Sequence, residues 1–104
     1  MQIIARKALR EFWKQPGNIA AERPLRVWEA LTKQAKWQNP AQVKATFNSA
    51  DVLPGNRVVF DICGNKFRLI TRIDYKFGIV FIVCVLTHAQ YDKVDAVTVE
   101  RGRC

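Results

Sequence analysis

At 104 residues with 49% apolar side chains, the chain is too apolar to be disordered by composition and suits one domain, residues 1–104, that buries roughly two-thirds of its unfolded surface. Its longest apolar run, Gly78 to Leu86, is nine residues against the ~20 of a membrane helix. Met1 to Lys14 interleaves charges with apolar residues and lacks a signal-peptide core, so a cytoplasmic protein with no membrane partner is expected. Seventeen Lys and Arg against nine Asp and Glu leave a net charge of +8, a field that draws polyanions or an acidic protein.

Gln2-Ile3-Ile4 fits either a short edge strand or the first turn of a helix. From Ala5 to Gln15 the pattern is helical, with Ala8, Leu9, Phe12 and Trp13 on one stripe and Arg6, Lys7, Arg10 and Lys14 elsewhere. Pro16-Gly17-Asn18 ends it. A second helix begins near Pro24, a residue suited to a first turn, and carries Leu25, Trp28, Leu31, Thr32 and Ala35 at helical spacing. Trp13 and Trp28 at this periodicity are read as core rather than as a base-stacking platform. Asn39-Pro40 starts a third, short helix through Val43 to Phe47. Pro54-Gly55 then marks a type II turn and the crossing into sheet.

Three strands follow, joined by turns at Gly64-Asn65 and Gly78. In Lys66 to Ile73 the residues alternate. Lys66, Arg68, Ile70 and Arg72 share one face, while Phe67, Leu69, Thr71 and Ile73 share the other. The second face is expected to receive the helices, leaving Arg68 and Arg72 open to an anion. Ile79 to Leu86 is apolar on both sides, as an interior strand is. The layout is α+β, an antiparallel meander with helices on one face. Beyond it, Thr87 to Asp92 is a polar cluster with the chain's single histidine, His88. Cys63, Cys84 and Cys104 include no Cys-x-x-Cys pair and have one His to complete a metal set, so no metal and no other cofactor is expected. Cys84 reads as a small buried hydrophobe.

Four blocks carry a family likeness: Trp37-Gln38-Asn39-Pro40-Ala41-Gln42-Val43-Lys44-Ala45-Thr46-Phe47, Asn56-Arg57-Val58-Val59-Phe60-Asp61-Ile62, Gly64-Asn65-Lys66-Phe67-Arg68-Leu69 and Thr87-His88-Ala89-Gln90-Tyr91-Asp92-Lys93. Their order and spacing resemble the HigB toxins of type II toxin-antitoxin systems, within the RelE-like superfamily. The resemblance implies a compact α+β fold, metal-free cleavage of messenger RNA in the ribosomal A site, and inhibition by a HigA-like antitoxin bearing a helix-turn-helix. It also implies that Arg68 grips the scissile phosphate, as a guanidinium can do bidentately. His88 is the candidate proton-transfer group or cation. Tyr91 is its candidate partner as acid or hydrogen-bond donor, and Lys66 an electrostatic helper. Asp92 either orients His88 or caps the turn. Arg57, Lys66, Arg72 and Lys93 are the expected RNA-binding residues around them.

The chain departs from the family pattern at Val83, where Arg or Lys is common, and at Asn48, where Pro is usual. The missing basic group keeps a second class of function in view, a catalytically silent module that holds RNA, ribosome or antitoxin on the same face. A third reading is an interaction protein whose charge serves solubility alone.

Overall fold

The computed structural model describes all 104 residues. In chain order it contains β1 (Gln2–Ile4), α1 (Lys7–Trp13), α2 (Glu22–Gln34), α3 (Pro40–Thr46), β2 (Asp51–Leu53), β3 (Arg57–Ile62), β4 (Phe67–Asp74), β5 (Ile79–Thr87) and α4 (His88–Tyr91). A 3-10 turn at Ile19–Ala21 leads into α2. No helix is long and apolar enough to cross a membrane.

The local signals act as their chemistry requires. Pro24 lies in the first turn of α2, and the side chain of Asn39 accepts a 3.0 Å bond from Gln42 N at the start of α3. Helix α1 starts at Lys7 rather than Ala5, and no side chain caps it. Leu25, Trp28 and Thr32 form the buried stripe of α2, whereas Leu31, at the stripe's edge, is 43% exposed. Gly55 takes φ +75°, as a type II turn demands. That turn joins β2 to β3, so the sheet already begins before it, at Asp51.

The five strands lie in the order β1-β5-β4-β3-β2. Gln2–Ile4 is an edge strand, parallel to β5, and every other pairing is antiparallel. Strands β4 and β5 slip by one residue between Ile70↔Cys84 and Thr71↔Ile82, which leaves Val83 bulged out of the ladder. On one face, Val58, Phe60, Ile62, Phe67, Leu69, Ile73, Val80 and Ile82 meet α1, α2 and α3. Phe60 is the hub of an aromatic cluster, with ring centroids 5.4 Å from Trp28, 6.3 Å from Trp37 and 5.3 Å from Phe47. Trp13 and Trp28 are buried in this core.

The other face corrects the expectation of an open basic surface. Val59, Ile70, Cys84 and Leu86 form a second small core, packed against Leu53, Val83, Tyr91, Val94, Ala96 and Val99. Residues 92–104 therefore lie over the middle of this face, and only its two ends carry accessible cations. Cys84 is buried as expected, but it is not a free thiol, because it is bonded to Cys104 with the Cα atoms 5.8 Å apart. This link closes a loop with a sequence separation of 20. Closing a loop of this size removes chain entropy from the unfolded state worth about 3 kcal/mol. Reducing the wild-type protein, or making Cys104→Ser, is accordingly expected to lower the unfolding free energy by about that amount. Urea unfolding with and without reductant measures it, and an unchanged midpoint would show that the link adds nothing.

Candidate active site

Three local structures converge at the end of the sheet where β3 turns into β4. The first is the turn itself, in which Cys63 and Gly64 both adopt left-handed backbone, at φ +57° and +66°. It sets the register of the hairpin, so that Asp61 stands directly across from Arg68. The second is the start of β4, which carries Arg68. The third is α4, anchored by a reciprocal cap in which Gln90 N donates to Thr87 Oγ1 at 3.2 Å and Thr87 N donates to Gln90 Oε1 at 3.0 Å. The backbone N–H of His88 donates to Lys66 O at 3.0 Å, tying α4 to the turn.

Arg68 is mostly buried and fixed on several sides. Its Nη1 lies 3.1 Å from Asp61 Oδ1 and donates to Asn65 O at 2.9 Å, and its guanidinium carbon sits 5.4 Å from the centre of the Tyr91 ring. The same Asn65 carbonyl faces His88 Nδ1 at 3.2 Å. With Nδ1–H donating there, Nε2 is the acceptor nitrogen of the neutral ring. Asp92 Oδ2 lies 3.4 Å from Nε2, placed to hold the charge when that nitrogen takes a proton. Burial pushes the Tyr91 phenol above its ordinary pKa, followed by the carboxylate of Asp51. Arg68 opposes the rise, and Asp61 and Asp92 add to it. Tyr91 thus stays a neutral donor at physiological pH.

The structure joins Arg68 and His88 through the Asn65 carbonyl, with Tyr91 against Arg68 and Asp92 against His88. Lys66 is exposed in the adjoining turn rather than on the strand, its Nζ 5.6 Å from the Phe67 ring centre. Lys93 is exposed just past α4. Arg57 and Arg72 stand apart, opposite one another at the other end of β3 and β4. Four residues of strand, about 13 Å, separate Arg72 from Arg68, and buried Ile70 lies between them. Arg57 also donates from Nη1 to the carbonyls of Ala96 and Val99, so it anchors the C-terminal segment. Sequence reasoning missed Asp61, Asp51 and the Asn65 carbonyl. Asp61 had a signal, because a hairpin centred on Gly64-Asn65 pairs residue 61 with residue 68. No cluster of three or more His, Cys, Asp or Glu side chains suited to a metal gathers in the chain.

A family model described as HigB_toxin, the RelE-like toxic component of a toxin-antitoxin system, matches residues 21–94. This range contains α2 through α4 and the whole cluster. No curated protein matches the chain.

Two outcomes follow from this geometry. Thr87→Ala removes the cap and is expected to cost about 1 kcal/mol; urea unfolding measures it, and an unchanged midpoint would show that the cap adds nothing. Both tyrosines, Tyr75 through burial and Tyr91 as above, are raised above the ordinary 10.0. Above pH 10 the unfolded chain therefore loses phenol protons that the folded protein still holds, and stability falls as pH rises through the raised values. Absorbance titration of phenolate, together with urea unfolding across that range, tests this; a tyrosine ionising below pH 10 would contradict it.

Proposed function

Because the chain belongs to the HigB family of RelE-like toxins, we propose that it is a metal-independent endoribonuclease that acts in the cytoplasm on the ribosome, cutting translated mRNA in the A site and so stopping translation. The observation that supports this reading best is the convergence of Arg68 and His88 on the Asn65 carbonyl with Tyr91 alongside. Cleavage without a metal needs a base for the 2′-hydroxyl, a cation for the charge gathering on phosphorus, and an acid for the departing 5′-oxygen. His88 Nε2 takes the proton of the 2′-hydroxyl. The freed oxygen then attacks its own phosphorus, forming a 2′,3′-cyclic phosphate as the bond to the 5′-oxygen breaks. Arg68 binds the phosphate through Nε and Nη2, the donors not engaged by Asp61 or Asn65. Tyr91 gives its proton, or a hydrogen bond, to the leaving 5′-oxygen, which is more basic than a phenolate. Lys66 and Lys93 flank the cluster as cations for neighbouring phosphates.

The ribosome supplies what the isolated cluster lacks. A 2′-hydroxyl must lie in line with the bond it breaks, and alignment of this kind lowers a barrier by several kcal/mol. The A site can hold the message in that geometry.

A toxin of such a system has an antitoxin partner. We assign it to the HigA-like helix-turn-helix class, whose acidic segment would complement the +8 charge. Two observations favour a second reading, a module of the same fold that binds without cutting. Asp61 already occupies part of Arg68, and Val83, bulged out of β5, stands where the family commonly has a cation.

Purified protein added to ribosomes programmed with a defined mRNA separates the two. Cuts in the A-site codon are expected, reduced about 10²- to 10³-fold by Arg68→Ala and about 10²- to 10⁴-fold by His88→Ala. Ribosome binding with intact mRNA would select the silent module.

A further inference from the structure

The sheet face that turns away from the helices has two electrically different ends. At the turn end, Arg68 is matched by Asp61 directly across the ladder. At the other end, Arg57 stands directly across from Arg72. Like charges at opposed positions of an antiparallel pair repel and weaken the pairing, yet neither guanidinium takes part in any of the chain's ion pairs. Arg101 joins them. The three arginines line a hollow of about 300 Å³ with Phe81, Ile82, Val83 and Glu100, the last its only carboxylate.

The first two are also held in place. Arg57 is fixed through Nη1 by the Ala96 and Val99 carbonyls, which leaves Nε and Nη2 uncommitted. Arg72 lies over the Phe81 ring, 4.3 Å from its centre. An uncompensated pair of cations kept in register on a rigid hairpin, with a third brought over by the tail, is an arrangement that an anion completes.

We propose that this hollow is a second phosphate-binding site, distinct from the Arg68–His88 cluster, and that it takes a phosphodiester of an RNA backbone. The choice of RNA as the polymer rests on the nuclease reading above; the site itself rests on the charges. Two of its lining residues, Glu100 and Arg101, lie beyond the residues that the family model matches. The tail therefore adds a grip that the shared part of the fold does not contain.

The test uses the full chain. Arg72 and Arg101 are both exposed, so Arg72→Gln with Arg101→Gln removes charge without opening the core, while Arg57 is left to hold the tail. Binding of a short single-stranded RNA is measured by anisotropy across a salt series. Losing the one phosphate contact is expected to flatten the slope of log K against log[salt] by about 0.7, the value for one contact on a single strand. Lys14→Gln, on the helical side, is expected to leave the slope unchanged. Binding to vacant and to mRNA-programmed ribosomes distinguishes the source of the phosphate. Equal weakening on both assigns it to ribosomal RNA, and weakening only when message is present assigns it to mRNA.

An unchanged slope in the double variant overturns the proposal. So does a variant that loses binding to polyglutamate but keeps its RNA affinity, since the cluster would then serve an acidic protein. If the wild type fails to cut on ribosomes but its RNA slope depends on Arg72 and Arg101, the nuclease reading falls and this site stands. If it cuts and the slope does not change, the site falls alone.

Discussion

The register of β4 governs what the rest of the molecule can do. It is the middle strand, hydrogen-bonded to β3 on one edge and β5 on the other, with an apolar layer on each face. Phe67, Leu69, Thr71 and Ile73 point into the helical core, where the Thr71 hydroxyl finds its partner in Val58 O at 2.9 Å. Arg68, Ile70 and Arg72 point the other way. A slip of one residue would drive two arginines into the aromatic cluster around Phe60, a cost far beyond any gain from an alternative pairing. The position of each arginine is thus enforced by burial on the opposite side of the same strand.

The C-terminal segment turns that strand pattern into two separate sites. Val94, Ala96 and Val99 pack on the cluster of Val59, Ile70, Cys84 and Leu86, so the basic residues that alternate along β4 do not form a continuous strip. One end keeps Arg68, balanced by Asp61 and joined by the side chains of α4. The other keeps Arg57 and Arg72, with Arg101 delivered by the covering segment itself. Arg57 serves both purposes, since the carbonyls it binds belong to the segment that screens the middle of the face.

Short-range chemistry was legible in the sequence, and long-range closure was not. Alternation placed Arg68 and Arg72 on the face opposite Leu69, and Asn39-Pro40, Pro54-Gly55 and Gly64-Asn65 marked real boundaries because each acts within a few residues. The same alternation suggested an open face, because nothing local says where residues 92–104 come to rest. Val94, Ala96 and Val99 follow no clean period, and the cluster they pack on is assembled from Val59, Ile70, Cys84 and Leu86 on three different strands. Pairing of Cys84 with Cys104 was hidden for a similar reason, since three cysteines do not specify a bond without the Cα geometry. The parallel contact of β1 with β5 joins residues almost eighty positions apart. Of the candidate site, the strand arginine and the residues of the polar cluster could be named from sequence, whereas the carbonyl that joins them depends on how the turn folds.

The bond between Cys84 and Cys104 also decides how the protein yields to mechanical force. A pull applied at Cys104 bypasses residues 85–103 and acts on β5, which is hydrogen-bonded on both edges. An unfoldase gripping this end must therefore shear β5 from between β1 and β4, while the turn bearing His88, inside the closed loop, carries no tension. With the bond reduced, the same pull peels the tail away first and strips the cover from Val59 and Ile70 while β5 is still in place.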